Sequence, residues 1–487
     1  MKQKSIGKNY IYNLILTGLN LAFPLVTASY LSYILGAENI GKVNYATSII
    51  NWFIIFASFG IPRYGVRAIA RSRDSKKELS ETFWNLMSIQ FIFTSVSVCI
   101  YIAFIVNIGR FEEELILHLL MVLMLVLNAF SLDWFYQGIE EYGYITVRSI
   151  LFKVISIILM FALIKSRNDY IIYAFINIIG VSLNNILNYI HSGKFIYRKL
   201  PKLNILHYIK ELRVYFVTTL VIAIYGSLDQ LFIGTISPEE LAYYIRSKTL
   251  LGVGISVTNS VITVLIPRSA YLMENDYKQY KKVIQQSINY IYILGVPCVI
   301  GLILLSEEVM LLLGGLEFLP AVSSLQIISI QIIIVSIGGW QVNQILIPYK
   351  KEALALKIQV LAAVFSVILN IILIPMYSYI GAAITCTLTE TLLVIIEGII
   401  IKHKFTDIKI NYINRSMIKY LIAGLIMGMA IILIKQSVET VSTTILLSGM
   451  AAPIIYFIII IILKDELVIE ILNPIIIKIK IKSKIVR

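Results

Sequence analysis

The sequence predicts an all-α integral membrane protein of about fourteen transmembrane helices, forming two pseudo-symmetric six-helix lobes and two additional helices. Three observations carry that expectation: fourteen apolar stretches, the way basic residues fall between them, and a degenerate repeat of the first six stretches in the next six. The stretches lie near residues 13–35, 43–61, 83–107, 114–137, 144–165, 169–191, 213–235, 246–267, 285–305, 321–345, 354–375, 378–401, 416–435 and 441–463. About 20 residues at 1.5 Å rise cross a hydrocarbon core of roughly 30 Å, so each stretch is long enough. With the first end inside, the cytoplasmic segments carry 33 of the 42 Lys and Arg and the outer loops seven. The other two, Arg148 and Lys153, lie within the fifth span. Basic residues are retained on the cytoplasmic side, so both termini are expected there.

Composition agrees. The 487 residues are 58% hydrophobic with a mean hydropathy of +0.84, too apolar for a soluble chain of this length. The net charge of +14 does not point to nucleic acid. Arg63, Arg67, Arg71, Arg73, Lys76 and Lys77 cluster in one short loop, and Lys194, Arg198, Lys199, Lys202, Lys210 and Arg213 in another. Such charges attract anionic headgroups, which makes membrane lipids the natural partners. MKQKSIGKNY imitates the start of a signal peptide, but the apolar run behind it is too long for a cleavable core, so the first span is expected to stay. Cys99, Cys298 and Cys386 are widely separated inside spans and support neither a disulfide framework nor a metal cluster.

Catalytic signals are missing. There is no phosphate-cradling G-x-x-x-x-G-K-[ST], and Gly252 and Gly254 lack the third glycine of a dinucleotide loop. His118, His191, His207 and His403 are scattered without ligand spacing. The expectation is therefore no enzyme, no catalytic residue, no metal and no cofactor.

A transporter must hide a polar route inside an apolar shell, so polar residues at helical spacing carry the most information. In span 1, Asn13, Thr17, Asn20, Pro24 and Thr27 follow steps of four and three and share one face. Span 2 places Asn44, Thr47, Ser48 and Asn51 at i, i+3, i+4 and i+7, and span 8 repeats the pattern with Ser256, Asn259, Ser260 and Thr263. Span 7 offers a sparser face of Thr218, Tyr225 and Asp229. Such faces cannot look at lipid cheaply. Interhelical hydrogen bonding is the bland explanation for one stripe; four stripes on spans 1, 2, 7 and 8 favour a shared cavity. The same pairs carry the repeat. Gly36 precedes Tyr45 by nine residues and Gly234 precedes Tyr243 by nine, while Ile61-Pro62-Arg63 matches Ile266-Pro267-Arg268. One lobe is thus expected over 1–191, a basic linker over 192–212, a second lobe over 213–402, and two further helices with a basic tail over 403–487. Repeat-built transporters hold substrate between their halves.

Charges inside spans cost roughly 2.5–3.5 kcal/mol at a helix centre and are functional candidates by default. Glu390 sits near the midplane of span 12 as either a structural acid or a cation-coupling group. Arg148 and Lys153 point about 140° apart on a 3.6-residue helix, so at most one lines a given cavity. Snorkelling to the headgroups is the expected fate of Lys153. Asp229 and Lys248 approach from the outer side, and Lys248 shares a face with Asn259. Arg63, Arg67 and Arg71 follow Pro62 at i+4 steps as a basic face at the cytoplasmic mouth, with Arg268 as the repeat-related counterpart of Arg63. Arg suits bidentate contact with phosphate. The Gly424 and Gly428 pair in span 13 reads as helix packing.

Several stretches resemble the polysaccharide repeat-unit flippases, of the O-antigen and capsule type, in the multidrug/oligosaccharidyl-lipid/polysaccharide exporter superfamily. The likeness rests on Leu35-Gly36 with Gly41, Tyr45-Ala46 and Phe59-Gly60, and above all on Asp133-Trp134-Phe135-Tyr136-Gln137-Gly138-Ile139-Glu140 ahead of Arg148-Ser149. It continues through Gly315, Phe318 and Pro320, then Gln344 to Pro348, and Gly381-Ala382-Ala383 leading to Glu390. The resemblance implies two six-helix bundles, a cationic cavity lined by spans 1, 2, 7 and 8, and alternating access. It also implies a bacterial cytoplasmic-membrane location and an undecaprenyl-pyrophosphate-linked oligosaccharide as substrate. The polysaccharide polymerase and chain-length machinery become candidate partners. On that implication Arg63, Arg67, Arg268, Arg148, Lys153 and Lys248 are candidates for the pyrophosphate, and Glu390 and Asp229 for a coupling ion. The central arginines of the lipid II flippases have no counterpart here, since span 1 is uncharged and span 2 holds only Lys42 and Arg63 at its ends. A cation-coupled drug or metabolite antiporter of the same superfamily is the first rival, and a membrane glycan polymerase the second.

Overall fold

The computed structural model describes residues 6–199 and 201–470, and the side chains of Asn13, Thr17 and Asn20 lie outside the described residues. Among the described residues, twelve helical segments are long and apolar enough to cross a membrane. Two are double-length: α1 (Ile6–Ser58) breaks at Gly36 and α15 (Glu352–Lys404) at Ser378. Divided there, the twelve become the fourteen expected spans. At Gly36 the backbone adopts φ 76° and ψ 170°, a region open to a residue without Cβ. Spans 1 and 2 therefore turn back on each other with no loop. Ser378 turns at φ 47° and ψ −127°, a costly conformation for a residue with a side chain. Gly381 explains what holds that turn: a Cβ there would stand 2.2 Å from the Leu373 carbonyl oxygen, so the two arms touch backbone to backbone.

The chain divides into two compact units, Met1–Ala242 and Tyr243–Arg487. The first contains α1, the short amphipathic α2 (Ile61–Ser72), α3 (Lys76–Asn107), α4 (Leu115–Asn128), α5 (Asp133–Gly138) and α6 (Tyr142–Leu163). It continues with α7 (Tyr170–Ile178), α8 (Asn184–Ser192) and α9 (Ile205–Ile236). The seventh span, α9, packs here against α1, α2 and α3. Two glycines make that contact close. A Cβ on Gly41 would fall 1.8 Å from the Pro238 carbonyl oxygen, and one on Gly234 would fall 2.1 Å from the Tyr45 ring. Because backbone cannot step aside, Gly41→Val is expected to destabilise the protein by about 3 kcal/mol, the upper end of overpacking costs. Gly226→Ala, with nothing within 4 Å, should leave the melting temperature in detergent unchanged.

One end of the first unit is held by the residues of the Asp133–Glu140 block. Trp134, Phe135 and Tyr136 are buried among Ile61, Ile69, Phe83 and Leu212. Gly65 of α2 lies flat on Trp134, where a Cβ would come within 2.6 Å of the indole. The Tyr136 hydroxyl donates to the Asn188 carbonyl at 2.7 Å, and Arg73 pairs with Glu140 at 2.5 Å. This distinctive motif is thus a packing hub that fixes α2 against the bundle.

The second unit contains α10 (Pro238–Asn275, from residue 243 onward), α11 (Tyr277–Leu304), α12 (Ser306–Gly314), α13 (Ala321–Ser329), α14 (Gln331–Gln341) and α15. It ends with α16 (Arg415–Ser437) and α17 (Val441–Ile462). Its core joins α11, α14, α15, α16 and α17. Gly424 and Gly428 do serve packing: their faces meet Val296, Ile300 and Leu304 of α11. The two last helices are tied down further by the Tyr420 hydroxyl, which donates to Asp465 at 2.8 Å.

Candidate functional site

On span 2, Asn44 and Thr47 are half-buried, Ser48 is buried and Asn51 is exposed. Ser48 donates to the Asn44 carbonyl at 2.8 Å and lies 3.1 Å from Gln230 Oε1 of α9, so one stripe residue does bind a neighbouring helix. Gln230 escaped notice in the sequence because its span was read through Thr218, Tyr225 and Asp229. Tyr225 is half-buried, whereas Asp229 is 3% exposed and accepts the Gln230 backbone N–H at 2.8 Å.

Span 8, within α10, has two distinct faces. Ser256 donates to Gly252 O at 2.8 Å, Ser260 to Val257 O at 2.7 Å and Thr263 to Asn259 O at 2.9 Å. Hydroxyls satisfied by their own helix keep free lone pairs for a guest. Ser260 and Thr263 are exposed and Asn259 half-buried. The opposite face packs inward: Thr258 bonds Ser336 at 2.5 Å and Gly254 sits under Ile332. Exposed polar side chains thus occur on a helix long and apolar enough to cross a membrane in each unit, Asn51 on α1 and Ser260 and Thr263 on α10.

The intramembrane charges separate into different environments. Arg148 is 6% exposed, and its Nη2 donates to Asp133 Oδ1 at 3.0 Å while Nε and Nη1 have no partner. Its guanidinium thus ties α6 to the Asp133 block. The Lys153 ammonium lies 5.6 Å from the ring centre of Phe23, half-way along span 1. Lys248 lies 5.1 Å from the Tyr244 ring centre and within electrostatic range of half-buried Glu390. The expected midplane acid thus stands beside a cation.

After span 2, α2 starts following Gly60 at φ 78° and buries Ile61, Gly65, Ile69 and Ser72. That burial turns Arg63, Arg67 and Arg71 outward, where all three are exposed. Arg67 reaches the Tyr215 hydroxyl at 3.4 Å. In the other unit, exposed Arg268 lines a cavity of about 230 Å³ with Gln279, Lys282, Gln286, Tyr290 and Glu470. Within this hollow Lys282 pairs with Glu470 at 3.6 Å and Gln286 Nε2 donates to the same carboxylate at 3.0 Å, with Arg268 beside them.

Sequence reading also missed a buried acid. Glu397, taken as part of the inner end of span 12, is 2% exposed and faces α14. Chain position alone does not reveal burial so near a helix end.

The sequence profile of the family described as "Polysaccharide biosynthesis protein" matches residues 6–273. The chain belongs to that family. A putative O-antigen transporter of Escherichia coli K12 is 25% identical over 397 residues, covering 80% of this chain and 94% of its own length. Among solved structures, the lipid II flippase MurJ in an inward closed conformation superposes with a TM-score of 0.71 at 16% identity, over 96% of this chain and 99% of its own. An inward-facing multidrug resistance MATE transporter of the MOP superfamily gives 0.63 at 13% identity, over 82% and 98%. Likeness at such low identity establishes the fold of this family member, which is that of the MOP superfamily.

Proposed function

We propose that this chain is a flippase that carries undecaprenyl-pyrophosphate-linked oligosaccharide repeat units from the cytoplasmic to the outer leaflet of the bacterial cytoplasmic membrane. Both termini would lie in the cytoplasm, and the two units would alternate access. One observation carries the reading: Asn51, Ser260 and Thr263 are exposed polar groups inside spans. Each sugar hydroxyl costs a few kilocalories to dehydrate without a replacement partner, and the pyrophosphate far more. Amide and hydroxyl stripes replace water around sugar, while Arg63, Arg67 and Arg268 receive the phosphates. Outward movement of negative charge gains about 2.3 kcal/mol per charge per 100 mV of inside-negative potential.

The test is leaflet exchange of a fluorescent lipid-linked oligosaccharide in liposomes holding the purified chain. Acceleration over empty liposomes is expected, and its absence would remove the reading. Arg67→Glu and Arg268→Glu should each slow exchange about tenfold, the equivalent of one lost charge-assisted phosphate contact. Glu390 and Asp229 are the coupling-ion candidates, and Glu390→Gln is expected to flatten the response to an imposed proton or sodium gradient. A cation-coupled antiporter is the second reading, favoured by the half-buried Glu390 beside Lys248. It requires proton or sodium exchange driven by organic cations in the same liposomes.

A further inference from the structure

Glu397 follows Glu390 by seven residues on α15, so the two acids share a face about 10 Å apart along the axis. One carboxylate oxygen of Glu397, Oε2, is buried without a hydrogen-bond partner. It lies against Gly338 of α14, where a Cβ would stand 3.9 Å away. Gln341, nearly one turn further on α14, donates its Nε2 to the Tyr412 hydroxyl at 2.9 Å and to Val394 O at 3.3 Å. Its own Oε1 is buried with no donor. Gly398 brings the group together, since a Cβ there would meet Gln341 Nε2 at 3.3 Å and the Tyr412 hydroxyl at 3.4 Å. Tyr412 is itself anchored: its carbonyl accepts the Tyr292 hydroxyl of α11 at 3.0 Å.

Two buried acceptors on helices that pack together, both lacking a donor, are groups that a proton on the carboxylate would help to satisfy. A carboxylic acid presents one O–H, and Gln341 Oε1 can accept it. An ionised carboxylate in the same place would lose its hydration with no cation in return, which costs far more. Of the elements packed most closely on α15, α13, α14 and the turn Val342–Leu346 contain no charged residue. The titratable groups that face Glu397 are Tyr412 from the segment before α16 and Glu390 on its own helix, behind which stands Lys248.

We propose that Glu397, Gln341 and Tyr412 form a proton-binding site that exchanges with the cytoplasm and continues the face of Glu390 inward. Its coupling to transport rests on the flippase reading; its existence does not. When the site unloads, the Glu397 O–H bond breaks, its electron pair stays on the carboxylate, and the proton passes to cytoplasmic water beside Tyr412. The carboxylate then needs a donor, and Gln341 Nε2 is the one in place. Turning it inward releases Tyr412 and Val394, so proton occupancy sets how firmly residues 405–414 hold to α14.

The first measurement is a pH-difference infrared spectrum of the full chain in lipid nanodiscs, with and without sodium chloride. Wild type should show a protonated-carboxyl stretch that Glu397→Gln removes. Gln341→Leu should shift it, because the hydrogen-bond acceptor is gone. A spectrum unchanged by Glu397→Gln, or a band that sodium abolishes at fixed pH, would overturn the proposal. The second is the leaflet-exchange rate across lumenal and external pH between about 6 and about 8, where wild type should vary several-fold and Glu397→Gln less than about twofold. A variant that exchanges lipid with the wild-type pH profile would also overturn it. If wild type exchanges no lipid, the flippase reading fails, and the infrared arm still decides the proton site.

Discussion

Asp133→Ala is expected to destabilise the protein by about 3 kcal/mol, the low end of what breaking a buried ion pair costs. Its partner Arg148 is 6% exposed, with two guanidinium nitrogens already without acceptors, and Asp133 supplies the anion at 3.0 Å. The low end applies because Asp133 itself is about half exposed, with 47% of its side chain accessible. Removing the carboxylate would strand a cation in the membrane portion of the first unit. Asn188, whose Nδ2 shares the same Asp133 oxygen at 3.5 Å, offers no charge to replace it. Thermal unfolding in detergent should show a large drop for Asp133→Ala. The double variant Asp133→Leu with Arg148→Met should recover most of it, because an apolar pair carries no desolvation penalty. Equal losses in the single and double variants would show that the block stabilises by shape alone.

Asn51→Leu combined with Ser260→Leu is expected to slow oligosaccharide exchange about a hundredfold while leaving the melting temperature within a degree or two. Each substitution withdraws a partner from a sugar hydroxyl, at about 1–3 kcal/mol for an unmet group. Neither removes packing, since both residues are exposed and Ser260 bonds only its own helix. Thr258→Leu on the same helix should behave in the opposite way. Its hydroxyl meets Ser336 in a buried contact, so stability falls before transport does.

These contrasts show which parts of the molecule a one-dimensional reading reaches. Hydropathy is a local property, so all fourteen spans were legible, and Gly36 announced its turn because only glycine adopts that backbone cheaply. Ser378 announced nothing, since the close approach of Gly381 to Leu373 that sustains its strain is a tertiary fact. The stripes on spans 2 and 8 followed from helical spacing, yet which hydroxyls bind a neighbour did not. Ser48 finds Gln230 182 positions away. Arg148 looked like a cavity charge because its distance from Asp133 in sequence spans a helix boundary, and only folding shows that the two meet. Nor does spacing along the chain reveal that Lys153 meets the aromatic face of Phe23. Glu397 was hidden for a simpler reason. Its burial comes from α14 lying across it, which the sequence does not display.

The central claim is that water reaches the polar stripes within the membrane, and thiol accessibility measures that most directly. With Cys99, Cys298 and Cys386 replaced, single cysteines at Asn51, Ser260, Thr263 and Thr258 would be treated in intact vesicles with a charged, membrane-impermeant maleimide. Labelling is expected at positions 51, 260 and 263, with protection at 258. Protection of all four from both sides of the membrane would mean that the stripes face only protein or lipid, and the route for sugar would not exist.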